Sequence, residues 1–294
     1  MTETLNLLVV KKKRETGWII HRVIRYVLLA LVMLFVIAPF YIMFATSIMT
    51  PYEAQGAYFK FWPETPSLAM YRRVLIEEAG GYSIIRGFLN TMLYYGPSSL
   101  IGVFVSAMSA FAFAKVRFPG KTLMFSVLIA TMTIPNNIGL ITSYLIFDKL
   151  GWIGTALPLF VPRLFGTIGV VFFLRQYYIS MPDDLIGCAK IDGLGCFGTF
   201  MRIMLPTSVP VLVAQFILYF ITGYNDYMGP LLYLPTAESA TLQLVLAQYE
   251  DPYLQNWPLR MAGCFVAMLP LIALYLASQK FIMKDMSISS GFKG

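Results

Sequence analysis

Gly193, Gly195 and Gly198 fall at the spacing G-x-G-x-x-G, and Gly193 to Thr199 reads G-x-x-x-x-G-T. Either spacing can cradle phosphate in the right context. A dinucleotide fingerprint needs a strand before it, a helix after it and an acidic residue about 20 positions later, and a P-loop needs a lysine before its Ser or Thr. Here the stretch is a polar island between two long apolar runs, and Thr199 stands where that lysine belongs. Both nucleotide readings fail. The remaining ionisable candidates border apolar runs: Asp226 within Tyr224, Asn225, Asp226 and Tyr227, and Arg163 within "LFVPRLFG". An ionisable residue at membrane depth is a functional hypothesis by default. Aromatic faces beside amide and carboxylate groups suit a sugar, which stacks and hydrogen-bonds. Arg163 has two readings: it faces a pathway and favours an acidic sugar, or it snorkels to the outer interface. The single histidine, His21, has no nucleophile or metal cluster beside it, and Cys188, Cys196 and Cys264 form no C-x-x-C pair. An intramembrane enzyme is therefore disfavoured. A secondary transporter is disfavoured as well, because such proteins pair ionisable residues within their spans.

The elements that position these residues are apolar and long. The chain of 294 residues is 58% hydrophobic and 13% charged, outside the range of a soluble domain. Six windows approach or exceed the roughly 20 residues that cross a bilayer as helix: Val23–Ser47, Phe88–Ala114, Leu123–Phe147, Leu157–Phe173, Val209–Tyr224 and Met261–Phe281. Their continuity favours helices over a barrel, whose strands alternate. The first run is too long for a signal-peptide core, and no small-residue cleavage site follows it. Fifteen of the 22 Lys and Arg residues fall on the side of the N-terminus and seven on the other, which places both termini in the cytoplasm. The expectation is an all-α integral membrane protein with six transmembrane helices and a cytoplasmic loop between the fourth and fifth. The net charge of +7 is then a topology signal, and "KKKRETGW" an anchor beside acidic lipid; no nucleic-acid partner is expected.

Residues 1–22 read as a basic cytoplasmic segment, 23–84 as the first span with an extracytoplasmic loop, 85–283 as the core, and 284–294 as a cytoplasmic tail. Within the core, Ser98, Gly102, Ser106, Ala110 and Ala114 recur every four residues, a stripe that lets helices approach closely in lipid. Pro135, Asn136, Asn137 and Gly139 interrupt the third span, and irregular backbone at that depth requires protein or a water-filled cavity beside it. Asn136 and Asn137 are pathway candidates on that ground. In the loop at 178–206, Ser180 or Asp183 is a plausible N-cap and Gly193 or Gly195 a stop, followed by a second short helix ended by Pro206. Two short helices at a glycine turn make a rigid knob suited to docking a cytosolic protein.

At this knob the sequence resembles the permease subunits of binding-protein-dependent ABC importers, whose signature is E-A-A-x-x-D-G-x-x-x-x-x-x-F-x-x-I-x-L-P. Ala189, Asp192, Gly193, Phe200, Ile203, Leu205 and Pro206 match it, whereas Gly187 replaces the glutamate and Cys188 an alanine. The likeness extends from about Arg86 to Gly294 and is nearest to the carbohydrate-uptake branch, through "FLNTMLYYGPSSLIGVFVSAMSAFAFAKVRFPGK", "YNDYMGPLLYL" and "QKFIMKDMSISSGFKG". The last is similar to the tail of the smaller permease of maltose importers, which reaches between the ATPases; Ser289–Gly294 would do the same.

The resemblance implies a second permease, two cytosolic ATPases and an extracytoplasmic substrate-binding protein as partners. ATP and magnesium would belong to the ATPases, with no cofactor and no catalysis on this chain, which would lie in a bacterial inner membrane. Asp183, Asp184 and Lys190 are the groups available to substitute for the missing glutamate in the ATPase contact. Peptide, amino acid or glycerol phosphate stays open as cargo beside a sugar, because the knob reads the ATPase and not the cargo.

Overall fold

Apolar runs without charge must close their backbone hydrogen bonds within each segment, and the chain does so as helix. A computed structural model describes residues 2–56, 60–77, 81–249 and 256–291, and every regular element among them is helical. In order these are α1 (Thr2–Ser47), α2 (Pro51–Ala54), α3 (Ala69–Ile76), α4 (Ile84–Lys115), α5 (Lys121–Thr131), α6 (Leu140–Lys149), α7 (Leu157–Leu164) and α8 (Ile168–Ser180). There follow α9 (Asp184–Ile191), α10 (Cys196–Thr199), a π-turn (Phe200–Met204), α11 (Leu205–Thr207), α12 (Val209–Tyr224), α13 (Met228–Tyr233), α14 (Leu242–Ala247) and α15 (Trp257–Gly291).

Four helical stretches are long and apolar enough to cross a membrane: His21–Ser47, Ile84–Lys115, Leu157–Ser180 and Trp257–Gln279. A fifth forms if Cys196–Thr207 and Val209–Tyr224, bent by 80° to each other, count together. The window expected as a third span is not one helix. Pro135 has no amide to donate, and it pushes the residue before it out of the helical region. α5 therefore stops at Thr131, a single 3₁₀ turn spans Asn136–Gly139, and α6 starts at Leu140. The hydroxyls of Thr131 and Thr133 donate to the carbonyls of Leu128 and Ala130, the latter also accepting from the Thr133 amide. The boundaries expected at residue 22 and at residue 283 both fall inside helices, α1 and α15. Of the tail, residues 292–294 lie outside the described residues.

The centre of the fold is α4, which packs on α7, α8, α12 and α14, while α15 packs on α1, α3 and α12. The small-residue stripe makes this approach. Ser98, Ser106 and Ala110 are fully buried, and a Cβ at Gly102 would run into the carbonyl of Arg163 and the ring of Tyr219. Gly166, at φ +74° between α7 and α8, lies against Ser106 and the carbonyl of Gly102, a conformation and a proximity that only glycine supplies. The loop ahead of α14 is fastened to the other end of α4. Asn90 Nδ2 donates to the carbonyls of Glu238 and Ala240 at 2.8 and 2.9 Å, and Thr91 Oγ1 accepts from the Leu242 amide at 2.9 Å.

Candidate functional site

The knob folds from its own turn chemistry. α9 ends at Asp192, after which Gly193 takes φ +78°. The Gly193 amide donates to Lys190 and the Leu194 amide to Ala189, at 3.1 and 2.9 Å. These two bonds close a Schellman motif, which needs a left-handed residue at the position of Gly193. The following helix is not ended by Pro206, as the sequence had suggested; it runs on to Thr207 and bends at Ser208. Pro206 instead acts upstream. Its missing amide leaves a gap in the ladder, and the preceding turn widens to π geometry, with Leu205 N–H donating to Phe200. Thr207 Oγ1 and Ser208 Oγ then donate to the carbonyls of Ile203, Met204 and Leu205.

The motif residues divide into two sets. Ala189 and Phe200 are buried, and the Phe200 ring packs 5.6 Å from Phe111 and 5.9 Å from Phe104 of α4. Ile203 and Leu205 are half-buried, and Pro206 is exposed. These positions attach the knob to the bundle. Asp183, Asp184, Gly187, Cys188, Lys190, Asp192 and Gly193 are exposed, as are Ile191 at 87% and Phe197 at 64%. An apolar pair this open, ringed by charges and two free thiols, is a surface made for contact. A Cβ at Gly187 meets nothing within 4 Å, so glycine at that position leaves empty space on the exposed face.

One residue that the sequence did not point to ties the knob to α4. Lys115 Nζ donates to Asp183 Oδ1 at 2.5 Å and to the Met181 carbonyl at 2.7 Å. The lysine side chain is 8% exposed and the aspartate 86%. The lysine hydrogen bond and charge hold the Asp183 carboxyl below its ordinary range. Because Asp183 is taken up by this bond, it makes no side-chain cap on α9. Lys115, Arg117, Lys121 and Lys190 line a cleft of about 750 Å³ beside the knob.

A second constellation surrounds Arg163. Its guanidinium lies 4.1 Å from the Tyr219 ring centre and 5.1 Å from that of Tyr95. Nη2 donates to Ser99 Oγ at 3.0 Å and to the Tyr219 carbonyl at 2.6 Å, while Tyr219 Oη donates back to the Arg163 carbonyl at 3.2 Å. The arginine thus turns inward onto α4 and α12. Gly223 provides the room, since a Cβ there would meet the Tyr95 ring and, at 3.0 Å, the Arg163 guanidinium carbon.

The aromatic-acidic cluster at the end of α12 is only partly brought together. Tyr224 is buried, and its hydroxyl donates to the Ala267 carbonyl at 2.6 Å, so it joins α12 to α15. Asp226 accepts from Tyr95 Oη at 2.9 Å and from the Gly229 amide at 3.1 Å, which anchors the start of α13. Asn225 is exposed and accepts from Gln243 Nε2 at 3.3 Å, and Tyr227 is 40% exposed. Asn136 and Asn137 form the first half of the 3₁₀ turn; their side chains lie outside what is described. The sequence reading missed Tyr95, Ser99 and Gln215. Gln215 is a lone amide in the apolar α12, which could have marked it.

A helical bundle with several membrane-length spans, a proline-broken segment and an exposed helix–turn–helix knob defines a multi-pass membrane transport component. The chain belongs to the family described as the binding-protein-dependent transport system inner membrane component, whose profile matches residues 99–288. It is similar to the arabinooligosaccharides transport system permease protein AraQ of Bacillus subtilis, 28% identical over 73% of this chain and 76% of the relative. It is also similar to the sn-glycerol-3-phosphate transport system permease protein UgpE of Brucella abortus, 27% identical over 91% of this chain and 96% of the relative. A solved bacterial ABC transporter involved in importing the acidic polysaccharide alginate contains a chain of the same fold, with TM-score 0.73 at 21% identity over 89% of this chain and 96% of that one.

Proposed function

We propose that this chain is one of two permease subunits of an ATP-driven importer, and that its cargo is a carbohydrate delivered by an extracytoplasmic binding protein. The observation that carries the reading is the knob: the family motif forms a rigid helix–turn–helix whose exposed face includes Ile191 and Phe197. The relatives support a sugar or sugar-like cargo, since they include a permease named for arabino-oligosaccharides and one named for glycerol phosphate. In this account six segments cross the membrane with both termini cytoplasmic. The fifth is the bent pair, and the third is the broken α5–α6 segment, tolerated because it faces protein or a wet pathway. Asp183, Asp184, Gly187, Cys188, Lys190 and Asp192 form the face that meets the ATPase, which binds ATP and magnesium. The knob converts closure of the ATPase pair into movement of α4 and α12, through Lys115 and the Phe111–Phe200 stack. This chain performs no catalysis itself.

Purification in mild detergent from the native cell, with mass spectrometry of the bound proteins, tests the assembly. A second permease and a cytosolic ATPase are expected, with ATP hydrolysis by the complex stimulated by the loaded binding protein. Asp192→Arg is expected to abolish that stimulation while leaving membrane insertion intact. Recovery of the chain alone, with unchanged uptake in Asp192→Arg, would contradict the proposal.

A further inference from the structure

A cavity of about 770 Å³ opens beside Arg163, walled by the end of α5, the α7–α8 turn and α12. Three kinds of anion donor meet in it. The first is the N-terminus of α8, whose residues 167–170 form part of the wall. Thr167 Oγ1 caps the Val170 amide at 3.3 Å, but the amides of Ile168 and Gly169 have no carbonyl one turn back to receive them. A Cβ at Gly169 would have no neighbour nearer than 3.8 Å, so a ligand can approach that backbone closely. The second is Arg163. Among the described residues its Nη2 makes the guanidinium's side-chain hydrogen bonds, its face rests on Tyr95 and Tyr219, and Nε is buried without a partner. No carboxylate lies within ion-pair distance of it among the described residues. The third is Gln215, which is 7% exposed, lines the same cavity and makes no hydrogen bond with its amide among the described residues. Polar groups in a folded interior find partners as a rule, so an unpartnered amide, a guanidinium hydrogen-bonded through one nitrogen and a bare helix N-terminus on one cavity wall call for a ligand acceptor.

We infer that this cavity is a subsite for the carboxylate of an acidic carbohydrate, a uronate-bearing sugar. Arg163 and one helix N-terminus, with the Asp226 carboxylate held behind Tyr95, match at most a monoanion; a phosphate monoester, near two negative charges at neutral pH, would be left undercompensated. The volume lies in the range that holds a small ligand. Thr131, Thr167 and Thr222 supply hydroxyls on the same wall, while the buried Tyr219 ring lies under the guanidinium and positions it. Tyr95, Ser99 and Tyr219 hold the guanidinium in place, so it is oriented before cargo arrives. This inference rests on the carbohydrate-importer reading and names the chemical class of its cargo.

The test has two parts. The purified chain in detergent is melted with glucuronate, with glucose and with glycerol phosphate; glucuronate alone is expected to raise the midpoint, and Gln215→Leu to remove the rise. The complete transporter in proteoliposomes is then given a uronate oligosaccharide and its carboxyl-reduced neutral counterpart. The ratio of uronate to neutral uptake is expected to fall about tenfold in Gln215→Leu, a hydrogen bond to a charged group being lost, and further in Arg163→Gln. The Gln215 side chain makes no hydrogen bond among the described residues, so its variant keeps the test decisive even if the arginine variant misfolds. The inference is overturned if glucose stabilises as well as glucuronate, if glycerol phosphate stabilises more, or if the uptake ratio is the same in Gln215→Leu. Wild-type transporter that takes up neither cargo would overturn the carbohydrate reading as well. Equal handling of both cargoes by wild type and variants would overturn the subsite alone.

Discussion

Replacing Gly102 by alanine adds one methyl group where α4 meets α7 and α12. Its neighbours would be the Arg163 carbonyl, inside contact distance, the Tyr219 ring at 2.9 Å and the Gly166 Cα at 3.3 Å. The first and third are backbone, so neither side can yield by changing rotamer. Alanine in a helix interior gains ~0.5–1 kcal/mol over glycine through backbone entropy, whereas overpacking of this kind costs ~1–3 kcal/mol. With two backbone neighbours the cost falls in the upper part of that range, ~2–3 kcal/mol, so the crowding wins and a net loss of ~1–2.5 kcal/mol is expected. At ~2–4 °C per kcal/mol for a chain of a few hundred residues, the melting midpoint falls by ~2–10 °C. Gly96 lies in the same helix with nothing within 4 Å of its Cβ position. Gly96→Ala therefore brings no tertiary crowding, and it melts near wild type, the entropy gain being offset by the strain that Pro97 places on a Cβ before it. Both variants are purified in one detergent and melted by intrinsic tryptophan fluorescence. If Gly102→Ala melts at or above Gly96→Ala, the close approach of α4 to Arg163 is not part of the folded protein, and the described seating of the guanidinium falls with it.

The other predictions concern the knob and the end of α12. Asp183, its carboxyl held down by Lys115, contributes its bond above the ordinary carboxylate range near 4 and loses it as pH falls through the depressed folded value. The Lys115–Asp183 link is thus closed at neutral pH and opens only in acid. Carbon-13 NMR of labelled aspartate should show this titration move up in Lys115→Met; identical titration would refute the link. Gly187→Glu, with no neighbour within 4 Å and a helix-propensity gain of ~0.5–1 kcal/mol, is expected to melt no lower than wild type and to strengthen co-purification of the ATPase. Weaker retention would count against the assigned docking face. Tyr224→Phe removes the hydroxyl bond to Ala267 and is expected to cost ~0.5–1.5 kcal/mol of stability without altering cargo selectivity; a selectivity change would return Tyr224 to the pathway.

How far the sequence carried depended on the range of the interactions. The knob was legible because its turn chemistry is local: Gly193 supplies the left-handed residue and Asp192 the last helical one, both within one short motif. The stripe at Ser98, Gly102, Ser106 and Ala110 was legible because helix geometry repeats. The path of the third span was only half legible. Pro135 announced a break, but composition does not say whether two short helices or one kinked helix results, since Thr131 and Thr133 settle that by bonding to the carbonyls of Leu128 and Ala130. Pro206 misled for a related reason: it widened the turn before it instead of ending the helix, because Thr207 and Ser208 absorb the unpaired carbonyls. Arg163 was visible as a pathway candidate, but its partners were not. Its ring partners Tyr95 and Tyr219 and its hydroxyl partner Ser99 are more than fifty residues away in sequence, and no periodicity joins them.

The central claim, a permease coupled to a cytosolic ATPase through the knob, is tested most directly by the chain's own thiols. Cys188 and Cys196 are exposed on the knob, and Cys264 is exposed on α15, away from it. Maleimide labelling is followed by peptide mass spectrometry on the intact complex and on the same chain stripped of its partners. The account predicts that Cys188 and Cys196 react freely in the stripped chain and are protected in the complex, with full labelling of the denatured chain as the reference. Equal labelling of Cys188 in both states, with the ATPase demonstrably bound, would contradict it.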